Sequence, residues 1–434
     1  MAKQSINIGT SANDGTGSTL REAFDICNDN FTEIYGGTNT AFQFKAEGTN
    51  FTGSLLIGHA TTGTISSAEN NTGVGISALD ALTEGDYNVA LGFEAATALT
   101  AGSFNVILGS RAGKALTTGI HNVAVGYAAL RTEDTGDKNV AVGYAALNAL
   151  NYDGDGYNVA VGHSAGIAVT TGIKNTLIGA LAGDALLAGS FNVAVGYDAL
   201  STEDGHGRNT ALGYEALKTL NAGADAYNVA VGFDAGYAMT TGIKNTLIGG
   251  NAGDSLTTGS YNIAIGHEAL QYENAHGGNV AIGYLSLTSQ RAGADAYNTA
   301  IGYEAGKLVS TGTGNTLVGG LAGDSLTTGS SNTVLGYDAL STEDEYGTNT
   351  AVGYQSLKAL NASDNAYNIA VGFQAGLSVT TGIRSTIIGA LAGDAITTGS
   401  YNTVLGSHAL SAQTTGGSNT ALGYAALNAL NHTG

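Results

Sequence analysis

The chain has 434 residues, of which 67 are Gly and none is Pro, and 35 acidic against 15 basic side chains give a net charge of −20. That balance argues against nucleic acid and anionic membrane surfaces, whose phosphates call for basic patches, and the single Cys27 rules out an intrachain disulfide framework. With no apolar run of about 18 residues, membrane insertion is not expected either.

The first nine residues lack the apolar core of a signal peptide, which points to synthesis in a cytoplasm. After a polar, Gly-rich opening, Thr19-Leu-Arg-Glu22 forms a capping box and predicts a helix over 19–35, stopped by Gly36-Gly37. Its apolar residues Leu20, Phe24, Cys27, Phe31 and Ile34 fall at steps of four and three, an a/d seam. Two heptads fit either a trimerisation helix or one amphipathic helix packed on a neighbour. Residues 38–70 read as a linker and an irregular lead-in coil around Ser54-Leu-Leu-Ile-Gly58.

From residue 71 onward one phrase organises everything. Asn228-Val-Ala-Val-Gly232 recurs in variants from Asn71 to Asn419, with twenty-one starts that are Asn except at Ser385. The spacing is three coils of 17 residues and one of 19, a set that repeats every 70 residues. A fixed short period signals stacked units, and 17 residues is one coil of a parallel β-solenoid or β-roll. One coil cannot stand alone: three or four buried aliphatic groups contribute about 1.5–3 kcal/mol each, against about 1–2 kcal/mol per residue of backbone ordering. Stacked at about 4.8 Å, the coils would make a rod on the order of 100 Å.

Within the phrase, positions two and four are β-branched or Leu and share a face. Position three, mostly Ala, lies on the other, so the strand is apolar on both sides and one side needs a cover. Val231 is read as a core position and the small Ala as a place where another chain approaches. The invariant Gly at position five, as in Gly92, Gly126, Gly162 and Gly232, suits a bend with positive φ or a close approach. Leading asparagines Asn88, Asn122, Asn158, Asn192, Asn228, Asn262, Asn298, Asn332, Asn368 and Asn402 are expected to stack as an internal ladder. Position twelve is usually aliphatic, but one coil in four carries Glu203, Glu273, Glu343 or Gln413 there and is expected to loop outward.

Asn-Val-Ala-Val-Gly-Tyr-x-Ala-Leu followed by Thr-Thr-Gly resembles the head repeats of trimeric autotransporter adhesins over about 360 residues. That resemblance implies an intertwined homotrimer of β-rolls. The opening Ile8-Gly-Thr-Ser-Ala-Asn-Asp-Gly-Thr-Gly17, with Leu20-Arg-Glu-Ala-Phe24 and Asn30-Phe-Thr-Glu-Ile-Tyr35, resembles virion structural proteins and tail fibres of tailed bacteriophages, notably marine and cyanobacterial ones. It implies a virion location, docking to a tail or baseplate protein through residues 1–37, and contact with a host-surface glycan or protein. The polar cap that solenoid ends need is missing after Asn428, which suggests either a tip protein there or a chain that is cut short.

No catalytic, cofactor or metal residues are assigned. Asp184, Asp254, Asp324 and Asp394 recur every 70 residues and read as a solvated stripe rather than a glycosidase pair, and Asp153-Gly-Asp-Gly156 lacks the rest of a calcium loop. Two rows of aromatics, Tyr197, Tyr214 and Phe233 after the Gly and Tyr227, Tyr261 and Tyr297 before the Asn, suit corner packing or glycan stacking. The leading expectation is a non-enzymatic phage fibre; the alternatives are a bacterial surface adhesin and a tailspike polysaccharide depolymerase.

Overall fold

In a computed structural model, which describes residues 44–45, 52–57 and 66–429, the chain is an all-β parallel β-solenoid with no helix among the described residues. The expected helix with its seam (Leu20, Phe24, Cys27, Phe31, Ile34) and the whole docking segment, residues 1–37, lie outside the described residues. Two compact units divide the chain, residues 1–174 and 175–434.

Each coil contributes one three-residue strand. In the first unit a short β1 (Phe44–Lys45) pairs antiparallel with β2 (Leu55–Ile57), which begins the parallel ladder that runs through β3 (Thr72–Val74) to β8 (Val159–Val161). The second unit carries fifteen strands, from β9 (Thr176–Ile178) to β23 (Thr420–Leu422). At about 4.8 Å per strand, that unit's stack is roughly 70 Å long. Register never slips: Val229, Ala230 and Val231 pair with Thr210, Ala211 and Leu212 on one side and with Thr246, Leu247 and Ile248 on the other. Like positions therefore lie in columns.

The inward face of the strand is position three, not positions two and four. Ala211, Ala230, Leu247 and Ala264 are fully buried, whereas Val229 and Val231 are half-buried and Leu212, Leu335 and Leu405 are 43, 49 and 46% exposed. Val231 is thus not a core residue, and Ala230 does not face another chain. The interior is too narrow for a β-branched pair because positions eight, nine and twelve already fill it, as Ala216, Leu217 and Leu220 do in one coil.

Volume exchange across this core explains the four-coil set. Where position three is Ala both in a coil and in the one after it, as for Ala211 and Ala264, position nine holds Leu217 or Leu270. Where position three is Leu247, the ninth positions of its own coil and the one before are Gly253 and Gly236. A Cβ on either glycine would lie 2.7–2.9 Å from a Leu247 methyl, so one large side chain occupies the space of two.

After the strand, Gly232 turns the chain with φ 144°, and a Cβ there would sit 2.4 Å from the Gly249 carbonyl oxygen. Positions seven and nine then adopt left-handed φ, for example 52° at Asp234 and 63° at Gly236. The alternation aims successive N–H groups up and down the stack: Asp234 donates to the Tyr214 carbonyl of the preceding coil and Gly236 to the Ala252 carbonyl of the following one. Corners are thereby bonded between coils as the strands are.

Candidate functional surface

The buried polar groups serve the stack. Asn88, Asn122, Asn158, Asn192, Asn228, Asn262, Asn298, Asn332, Asn368 and Asn402 are all at most 1% exposed. Each backbone N–H of these ten donates to the side chain that leads the preceding coil at 2.9–3.2 Å; that acceptor is an Asn Oδ1 except for Asn402, which uses the Ser385 hydroxyl. Asn228 Nδ2 in turn donates to the Gly242 carbonyl of its own coil at 2.8 Å. One side chain thus ties its coil to the next and closes its own loop.

The glutamates at position twelve do not loop outward. Glu133, Glu203, Glu273 and Glu343 are fully buried, and each stands in the coil just before a 19-residue one. Glu203 accepts from the His206 N–H of its own coil (3.1 Å) and from the Ala222 N–H of the longer coil (3.2 Å). Asp225 of the longer coil reaches back to accept from the Gly207 N–H (3.2 Å). Two extra residues break the regular threonine ladder at this junction, and the paired carboxylates replace its lost acceptors. What bulges outward is the longer coil, at the exposed Gly223–Asp225. Burial pushes the carboxyls of Glu133, Glu203 and Glu343 above their usual range, against backbone N–H bonds that pull them down.

Glu203, Asp204 and His206 bring three metal-type ligand atoms within 4.8 Å of one another, but both Glu203 oxygens are already held by backbone donors. Asp153 and Asp155 are likewise engaged, by the Thr135 hydroxyl and Lys138, each at 2.7 Å. The aspartates Asp184, Asp254, Asp324 and Asp394 are half-buried rather than a solvated stripe. Burial, with Asp338 and Glu304 nearby, raises the Asp324 carboxyl to about 6. No helix among the described residues is long and apolar enough to cross a membrane.

Compared with known proteins, the chain matches no family model, no curated protein and no solved structure. Functional reading therefore rests on the surface itself, where a β-solenoid whose buried asparagines tie one coil to the next fits a fibre-like structural protein.

Both aromatic rows lie outside the coil, not packed into its corners. In the row before the Asn, cations interleave with rings: the Arg208 guanidinium lies 5.3 Å from the Phe191 ring centroid and 5.4 Å from that of Tyr227, and Arg384 sits between Tyr367 and Tyr401. The row at position six runs in threes. Tyr197, Tyr214 and Phe233 stack at 5.5 and 5.3 Å, His267, Tyr284 and Tyr303 at 5.7 and 5.4 Å, and Tyr337, Tyr354 and Phe373 at 5.7 and 5.4 Å. Gly250 and Gly320 occupy position six between these runs. Those interruptions were readable in the sequence as the one coil in four without a ring, but only the columns give them a shape.

Proposed function

We propose that the chain is a non-enzymatic structural fibre protein of a phage virion, a homotrimer docked through residues 1–37 to a tail or baseplate protein and presenting its solenoid to the host surface. The observation that carries this reading is the outward strand face. Position four is aliphatic in every strand of the second unit and forms a strip, with Leu212, Ile248, Ile301, Leu335 and Leu405 each 37–49% exposed, beside a position two that is Thr, Val or Ile, and a second and third copy would cover it. In that assembly the covering surface is made by the β-branched and Leu residues, not by the alanines. Support for the virion comes from the resemblance of residues 8–35 to phage fibre openings; support for host contact comes from the exposed rings at position six.

Labelling purified phage particles with an antibody against residues 175–434 tests the proposal. Signal on an external appendage is the expected result. Signal confined to the bacterial envelope in uninfected cells would overturn it in favour of a surface adhesin.

A further inference from the structure

Between its three runs of rings, the aromatic column at position six of the second unit lacks a ring at Gly250 and at Gly320. Phe233 and His267 flank the first gap, Tyr303 and Tyr337 the second. Within the runs neighbouring rings lie within 18° of parallel, so inner ring faces are covered. Rings bordering the gaps keep one uncovered face, and all four are more than half exposed. At about 4.8 Å per coil, the bordering rings stand roughly 10 Å apart.

The glycines are not there for the backbone. Neither has positive φ, and a Cβ would meet nothing closer than a His267 ring carbon at 3.5 Å or a Tyr337 ring carbon at 3.4 Å, ordinary contacts. Gly278, in the other row, differs: its φ is 75° and a Cβ would lie 2.8 Å from the Tyr297 ring. At 250 and 320 a side chain fits, and its absence leaves a slot open at one edge.

We infer that each slot binds a single neutral pyranose whose ring substituents are all equatorial, entering edge-on and stacked between Phe233 and His267 or between Tyr303 and Tyr337. Such a chair carries axial C–H bonds on both faces, so both faces are apolar enough to stack on rings. A flat aromatic guest needs only about 7–8 Å between two rings at van der Waals contact and would leave slack; a puckered chair is thicker. Its hydroxyls project around the edge, next to carboxylates at position seven. Glu268 lies 3.7 Å from the His267 ring nitrogen, and Glu304, next to Tyr303 in the chain, accepts from Lys307 through one oxygen at 3.1 Å; carboxylates accept from hydroxyl donors. The same carboxylates, on a chain of net charge −20, repel phosphorylated or acidic sugars. Each slot binds weakly alone, and a fibre gains by repeating it against a polyvalent surface. The inference rests on the host-contact reading only for the source of the sugar.

Saturation-transfer NMR of the full chain with millimolar methyl β-D-glucopyranoside tests it. Saturation should reach protons on both sugar faces, and methyl β-D-galactopyranoside, whose axial hydroxyl lies on one face, should bind about tenfold more weakly. The double variant Gly250→Tyr/Gly320→Tyr, which fills both slots, should lose the signal with an unchanged thermal midpoint. Phe233→Leu/Tyr303→Leu, which removes one wall of each, should lose it too. No saturation with the wild type, equal saturation in the filled variant, or preferential binding of phenol would overturn the slot. Particle labelling reports separately on the virion reading, so either can fail alone.

Discussion

Replacing Asn228 tests the asparagine column at its middle. The side chain is fully buried; its Oδ1 accepts from the Asn245 N–H at 2.9 Å and its Nδ2 donates to the Gly242 carbonyl at 2.8 Å. Asn228→Ala leaves both backbone groups buried and unpaired, at about 1–3 kcal/mol each, so a loss of about 2–6 kcal/mol is expected. Position 385 supplies the graded comparison: there Ser385 Oγ accepts from the Asn402 N–H at 3.1 Å, but its own donor bond is to Ile383, at 3.5 Å. Asn228→Ser should therefore keep the inter-coil bond, lose the loop-closing one and cost about half as much. Because solenoid stability is a sum of local terms, the readout is native-state hydrogen exchange at Val229 and Asn245, where about 3 kcal/mol quickens exchange roughly a hundredfold. Equal exchange in the Ala and Ser variants, or wild-type rates in both, would refute the column's role.

Two further expectations follow from the buried carboxylates and the inward face. Glu133, Glu203 and Glu343 titrate higher in the folded chain than in the unfolded one, and Asp324 is raised to about 6. A raised carboxyl destabilises the fold while it is charged and stops doing so as pH falls through its folded value, so the thermal midpoint should rise from pH 8 to pH 5; a steady fall over that window would contradict it. Ala230→Asp puts an unpaired charge inside the coil and should abolish cooperative melting, while Val231→Asp, on the outer face, should leave each chain's circular dichroism intact. The opposite ranking would mean that the strand faces are reversed.

Period, strand phrase and bend were legible because each follows from local chemistry: the spacing of Asn, β-branched pairs, and a Gly whose φ of about 140° few other residues tolerate. Which strand face points inward was not. Val229 and Ala230 are both apolar, and the choice is made by volume, since Leu217, Leu220 and Met239 come from parts of the coil that a strand pattern does not place. Glu203 was misread for a related reason. A polar residue in an apolar column suggests exposure, but its partners, the N–H groups of His206 and Ala222, exist only once a 17-residue coil is stacked on a 19-residue one. The aromatic rows were visible as rows, whereas their cation-filled and vacant rungs required the in-register stack.

The molar mass of the purified chain by light scattering tests the proposed fibre most directly. Three copies of the 43.3 kDa chain are expected, with Val231→Asp shifting the mass toward one copy as the aliphatic strip is broken. A wild-type protein that stays a single chain would contradict the trimer and leave the outer strand face uncovered.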